Sequence, residues 1–228
     1  MRLRGNRRRD RLNCAHALRS GEGSAPQETS GRTHAPLSVR AYITVTFADL
    51  GIEQDMVDAL ATKGIIEPFP IQEQTIPMGL SGQDIIGQAK TGTGKTLGFG
   101  LPLLQSLGTD PEPGVKALVV VPTRELCVQV AEDLVLAASN RSTKIAAIYG
   151  GKAYEGQVEE LKAGAQVVVG TPGRLLDHLR SGALSGNDVA QVVLDEADRM
   201  LDMGFRDELE GVLDYLPVTR RTHLVTGR

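Results

Sequence analysis

Residues 84–96 read Asp84-Ile85-Ile86-Gly87-Gln88-Ala89-Lys90-Thr91-Gly92-Thr93-Gly94-Lys95-Thr96. The short run Asp84 to Gly87 predicts a buried strand, Ala89 to Thr96 a glycine-rich turn, and Lys95 to Ser106 a helix. Strand, glycine turn and helix in that order are what a phosphate-binding loop requires. Gly92 and Gly94 can take backbone angles that other residues avoid, so successive N–H groups can turn inward while the helix presents its positive end to an anion. Lys95 adds a mobile cation for the outer phosphates, and Thr96 offers a neutral hydroxyl oxygen suited to Mg2+. The expected cradle is therefore Ala89, Lys90, Thr91, Gly92, Thr93, Gly94, Lys95 and Thr96, with Ala89 where the generic loop has its first glycine. A chance glycine turn is the plainer alternative, and the flanking strand and helix weigh against it.

A second element lies about a hundred residues downstream, where the apolar run Val192-Val193-Leu194 ends in Asp195-Glu196-Ala197-Asp198. Carboxylates at the C-terminal end of a strand sit where ligands collect in open α/β sheets. Asp195 is suited to hold Mg2+ through water, and Glu196 to orient or deprotonate the water that attacks a γ-phosphate. Taken alone, an acidic tetrapeptide reads more simply as a helix start whose dipole the carboxylates complement. Pairing with the phosphate loop favours the chemical reading, with Lys95, Asp195 and Glu196 as the catalytic set.

Outward from these two elements, short apolar runs alternate with amphipathic stretches from Phe47 onward, the pattern of an α/β fold with a mostly parallel sheet covered on both faces by helices. Expected strands are Asp84–Gly87, Ala117–Pro122, Ile145–Gly150, Gln166–Gly170 and Val192–Asp195. Expected helices are Met56–Lys63, Ile71–Leu80 with a kink at Pro77, Lys95–Ser106, Arg124–Ala138 and Phe205–Leu216. In the fourth helix Leu126, Val130, Leu134 and Ala137 recur at helical spacing and predict the face turned to the sheet, with Thr123 as N-cap.

Composition narrows the class. The 228 residues carry −3 overall, but nine arginines against Asp10, Glu22 and Glu28 make residues 1–40 +6, which leaves −9 on the other 188. Residues 1–44 are rich in Arg, Ser, Gly, Pro and Thr without apolar periodicity, and predict a disordered basic tail; an anion-binding arm or targeting segment is the alternative for Arg7, Arg8, Arg9 and Arg11. An acidic remainder does not advertise nucleic-acid binding by bulk charge, so any such contact must come from placed groups. Cys14 and Cys127 form neither a metal-ligand spacing nor a disulfide framework, and the four His are scattered. No stretch approaches the ~18 apolar residues of a membrane span, and a soluble, cytoplasmic protein is expected.

Together the two elements, with the order of the motifs around them, resemble the DEAD-box RNA helicases, from about Phe47 to Thr222. The resemblance implies a first RecA-like, ATP-binding domain over residues 45–228, with ATP and Mg2+ as cofactors and RNA as partner. Gly64-Ile65-Ile66-Glu67-Pro68-Phe69-Pro70-Ile71-Gln72 is similar to the family's adenine-reading Q motif, with Phe47 in the place of its upstream aromatic. It implies adenine contacts from Phe47, Ile65 and Gln72; a carboxamide can accept from the adenine amino group while donating to N7. Ile65 stands where the family commonly has Phe or Tyr, and Phe69 where it commonly has Thr. Pro122-Thr123-Arg124, Gly150-Gly151 and Thr171-Pro172-Gly173-Arg174 resemble the motifs that track an RNA backbone, implying sequence-independent contacts to phosphate and ribose.

Arg221 to Arg228 begins like the strand that leads into the family's Ser-Ala-Thr motif but reads Thr226-Gly227-Arg228 there, so the resemblance implies a chain lacking the second helicase domain and its arginine finger. An arginine finger is worth about 10³ to 10⁵ in rate, so slow or absent turnover and weak RNA binding are expected of this chain alone. An ATP- and RNA-binding module without significant hydrolysis is the competing function, and an unrelated P-loop NTPase the third.

Overall fold

A computed structural model of the protein describes residues 45–88 and 92–227. The expected tail at residues 1–44, the cradle residues Ala89, Lys90 and Thr91, and Arg228 lie outside the described residues.

Apolar runs rich in Val, Ile and Leu form strands that can be buried on both faces, and three of the strands, Ala117–Val120, Val167–Gly170 and Gln191–Asp195, are buried at every position, whereas Ile85–Gln88, expected to be buried, leaves Ile86 83% exposed. β1 (Ile85–Gln88), β2 (Ala117–Val120), β3 (Ile145–Ile148), β4 (Val167–Gly170), β5 (Gln191–Asp195) and β6 (Arg221–Thr226) make one sheet in the order β1-β6-β5-β2-β4-β3. Every neighbouring pair is parallel, so the sheet is wholly parallel among the described residues. β6, anticipated only as the beginning of a strand, closes the gap between β1 and β5.

Alternate side chains of a strand point to opposite faces, and here the alternation sorts the interior into two cores. Ala117, Val119, Val167, Val169, Val193 and Val225 face α1 (Gln54–Ala61), α2 (Pro70–Leu80), α3 (Lys95–Leu107) and α4 (Arg124–Ala137). Leu118, Val120, Val168, Val192 and Leu194 face the other way, onto α5 (Tyr154–Lys162), α6 (Pro172–Arg180), α7 (Ala197–Asp202) and α8 (Arg206–Asp214). The helices on both faces expected from the sequence are therefore present.

Boundaries and omissions have physical reasons. β2 and β3 stop at Val120 and Ile148, short of the expected Pro122 and Gly150; proline has no N–H for the ladder. α2 runs unbroken through Pro77 to Leu80, close enough to its end that few turns are affected. Three helices lie outside those expected: α5, which buries only Gln157 and Leu161, α6, which follows Thr171-Pro172, and α7, whose six residues hold no full apolar period. In α4 the buried stripe is Cys127, Val130, Ala131, Leu134 and Ala137, while Leu126 is only half-buried, a shift of one position from the expected face.

One polar clamp fixes α1 against the rest. The Arg141 side chain has no exposed surface. Its Nε and Nη2 donate to the Asp55 carboxylate at 2.7 and 3.0 Å, its Nη2 also to Glu53, and its Nη1 to the Leu104 carbonyl at 3.1 Å. The guanidinium hydrogen bond holds the Asp55 carboxyl below its ordinary range. The two carboxylates keep contact with water, so the cost of Arg141→Ala is that of lost charge-assisted hydrogen bonds, roughly 1–3 kcal/mol, read as a reduced urea midpoint at unchanged slope.

Candidate functional site

In a wholly parallel sheet every turn leaving a strand's C-terminal end gathers along one edge. The register makes that edge level: Gln88 pairs with Thr226, Asp195 with Val225, and Val120 and Ile148 both lie opposite Gly170 or its neighbours. All the sequence motifs singled out on strand ends therefore share one side of the molecule, where they form two cavities.

The first cavity, about 280 Å³, is walled by Gly92, Gly94, Lys95 and Thr96 on one side and by Asp195 and Glu196 on another. Ile65, Phe69 and Gln72 close a third side, and Leu126, Gln129, Asp133 and Leu136 of α4 a fourth. The glycine turn and the acidic pair, a hundred residues apart in sequence, open onto the same space.

Lys95 begins α3 and is buried, yet its Nζ has no hydrogen-bond partner among the described residues; the same holds for Asp195 Oδ1. Burial pushes the Asp195 carboxyl up to about 6, against the pull of the Lys95 ammonium and with a further push from Glu196. Buried polar atoms are rarely left unpaired, because each forfeits its hydration. An ammonium and one carboxylate oxygen without partners among the described residues, in one cavity, fit an anion and a cation that arrive together, as a magnesium-bound phosphate does.

Glu196 is the one non-glycine with positive φ among the described residues, at 53°. Such a conformation costs on the order of 1–3 kcal/mol and concentrates at working sites. It turns the chain from β5 into α7 with both carboxylates at the strand end; Glu196 is buried and its Oε2 accepts from Arg199 Nη1 at 3.1 Å. The next acid, Asp198, accepts through Oδ1 from the Gly227 N–H at 3.3 Å, which ties the acidic turn to the end of β6. Asp133 faces the cavity beside Thr96; burial raises its carboxyl, and the Thr96 hydroxyl lowers it.

Gln72 is almost fully buried, and its amide links two elements: Oε1 accepts from the Phe69 N–H at 2.8 Å, and Nε2 donates to the Gly94 carbonyl at 2.7 Å. A carboxamide has two donors and two lone pairs, so one of each is left for a ligand. Phe47 departs from expectation. It has no exposed surface, sits inside the α1–α4 core and does not line the cavity, because the turn around it folds its ring inward. Ile65 lines the cavity while packing partly on the core.

The second cavity is an open groove of about 460 Å³ that collects Pro122, Thr123, Arg124, Gly150, Thr171, Gly173 and Arg174. Two residues expected with them do not line it. Pro172 is buried in the first turn of α6, and Gly151, at φ +88°, lies so close to Arg124 that a Cβ there would fall 2.5 Å from Nη1. Gly151 thus leaves room for the guanidinium above it. Arg174 is held from behind, donating to the Lys152 carbonyl at 3.1 Å with its guanidinium carbon 5.7 Å from the Tyr154 ring centre. Tyr154 in turn stacks on buried His178 at 4.2 Å. Thr123 caps α4 by accepting from the Leu126 N–H at 3.2 Å.

Sequence reasoning missed Asp133, Gln129 and Arg199 around the first cavity, and Met203 and Phe205 in the groove. For α4 a signal existed: Leu126, Gln129, Asp133 and Leu136 follow helical spacing on the stripe next to the buried one.

Among known proteins, the sequence pattern of the DEAD/DEAH box helicases matches residues 69–227. The DEAD-box ATP-dependent RNA helicase CshA of Bacillus subtilis (strain 168) is 45% identical over 185 residues, 81% of this chain and 37% of that protein. Its namesake from Streptococcus pneumoniae serotype 4 is 47% identical over 181 residues, 79% of this chain and 34% of that one. The chain thus spans little more than a third of the length of these relatives. The crystal structure of a DEAD box protein from the hyperthermophile Methanococcus jannaschii superposes with a TM-score of 0.76 at 40% identity, over 80% of this chain and 50% of that one.

The electrostatics can be tested directly. The Asp195 carboxyl should titrate near pH 6, followed by its 13C carboxyl shift, and higher still in Lys95→Met, where the cation that holds it down is gone. The folded chain then keeps a proton that the unfolded chain releases near 3.8, so this group's contribution to stability is lost as pH rises through about 6. Asp195→Asn should remove that part of the pH slope.

Proposed function

From the premise that the chain belongs to the DEAD/DEAH box helicase family, we propose that it is the ATP-binding part of an ATP-dependent RNA helicase, holding ATP and Mg2+ in the first cavity and the RNA backbone in the adjoining groove. The observation that carries this reading is the pair of unpartnered buried groups, Lys95 Nζ and Asp195 Oδ1, facing one cavity with the glycine turn.

In this reading Gly92, Gly94 and the start of α3 hold the phosphates through backbone N–H groups, and Lys95 neutralises the outer ones. Thr96 and Asp195 would hold Mg2+, which when bound supplies charge neutralisation for the phosphates. Glu196 orients a water toward the γ-phosphorus. As its oxygen bonds to phosphorus, the bond to the β-phosphate oxygen breaks, ADP departs, and the water proton passes to the Glu196 carboxylate. Arg199 fixes the Glu196 carboxylate in place. Gln72 reads adenine with its remaining donor and lone pair.

Arg124 and Arg174 in the groove take RNA phosphates, helped by the N-termini of α4 and α6. Guanidiniums and helix starts suit phosphate and ribose more than base edges, which supports binding that is independent of sequence. Glu125 and Asp177 share the groove and limit its affinity. A cytoplasmic setting goes with this activity. The remaining length of the relatives is where we place the groups that complete rapid turnover.

Phosphate release by the purified chain, with and without single-stranded RNA, tests the reading. Release is expected to be slow, and RNA-stimulated release would rule out a binding module without hydrolysis, whereas failure to bind ATP at all would overturn the reading itself. Glu196→Gln should keep ATP affinity within a few fold and slow release roughly 10²- to 10⁴-fold, whereas Lys95→Ala should lose affinity itself. Arg124→Ala and Arg174→Ala should each weaken RNA binding alike for all sequences and lower the salt slope by about 1.

A further inference from the structure

Phe69 is an aromatic side chain that core packing does not explain. Of the four phenylalanines, Phe47 and Phe99 are buried, while Phe69 is 54% exposed at the rim of the Lys95 cavity. Its position is nevertheless fixed. The Phe69 N–H is held by Gln72 Oε1, its carbonyl accepts from the Gln72 N–H at 2.8 Å and the Glu73 N–H at 3.1 Å, and Pro70 follows at the first position of α2. One edge of the ring lies against the phosphate loop: a Cβ on Gly94, itself at φ +76°, would fall 2.6 Å from Phe69 Cδ2. An aromatic ring is thus anchored at one edge on the loop and open elsewhere, in the cavity that Gln72 also lines.

Ile65, the residue expected to pack against the base, is aliphatic and leans partly on the core, so it offers no π face. We propose that Phe69 is the platform on which the base of the bound nucleotide stacks, making it a binding residue for the purine ring; this rests on the reading of the cavity as a nucleoside-triphosphate site. Aromatic rings prefer offset stacking, and every base has a π face, so Phe69 supplies affinity without choosing between bases. The choice then falls to the free donor and lone pair of Gln72. The backbone groups of Phe69 that cap α2 survive substitution of the side chain, so variants at this exposed position keep the helix start.

The chain contains no tryptophan, so Phe69→Trp installs a single fluorescent reporter. Titration with ADP or GDP should quench it, and inorganic tripolyphosphate should not. Phe69→Ala and Phe69→Leu should each raise the Kd for ADP roughly tenfold or more while leaving tripolyphosphate binding unchanged, and Phe69→Tyr should restore ADP affinity. The leucine variant keeps the apolar bulk, so its loss together with the tyrosine rescue separates stacking from a packing role. If wild-type protein binds both ligands and Phe69→Ala binds ADP equally well, with Ile65→Ala the variant that loses affinity, the base rests on Ile65 and the assignment is overturned. If wild type binds neither ADP nor tripolyphosphate, the nucleotide reading falls first and takes this inference with it.

Discussion

Six strands that all point the same way can be joined only by crossing over the sheet, and each crossing brings the chain back to the same starting end. From that constraint follows the arrangement of everything chemical in the molecule. The glycine turn after β1, the Arg124 turn after β2, the glycine pair after β3, the Thr171 turn after β4 and the acidic turn after β5 all leave the sheet along one edge. The central placement of β5 and β6 sets the acidic pair next to β1 across a single strand, which is why Lys95 and Asp195 meet one cavity despite the distance between them in sequence.

Around that cavity the structure holds features that cost stability. Glu196 sits in a left-handed conformation, Lys95 and Asp195 are buried without hydrogen-bond partners on Nζ and Oδ1 among the described residues, and burial drives the Asp195 carboxyl toward its neutral form. The two cores on either face of the sheet provide the burial that offsets such costs. Polar ties then hold the strained turns in register: Arg199 on Glu196, the Gly227 N–H on Asp198, and the Gln72 amide between Phe69 and Gly94.

The groove follows a different logic. Its two guanidiniums are positioned indirectly, Arg124 by the bare backbone of Gly151 beneath it and Arg174 by a carbonyl and an aromatic pair behind it. A pair of glycines and the stack of Tyr154 on buried His178 thus orient two cations that bulk charge would never have suggested, because the chain beyond residue 40 carries a net −9.

The sequence by itself determined the α/β class, the strand centres and the glycine turn that precedes α3, because apolar Val, Ile and Leu runs and a glycine turn before a helix are local patterns with local causes. It also pointed to the acidic pair and the arginines, since residue type and strand-end position are both legible along one dimension. Tertiary structure alone decided that β6 separates β1 from β5, that Phe47 lies in the core while Phe69 stands at the cavity rim, and that Gln72 is already engaged with Gly94. It likewise placed Asp133 and Gln129 on the cavity wall and Met203 and Phe205 in the groove. Those outcomes depend on which surfaces meet once helices pack on the sheet, and two aromatic residues of the same type, one buried and one exposed, carry no local mark that tells them apart.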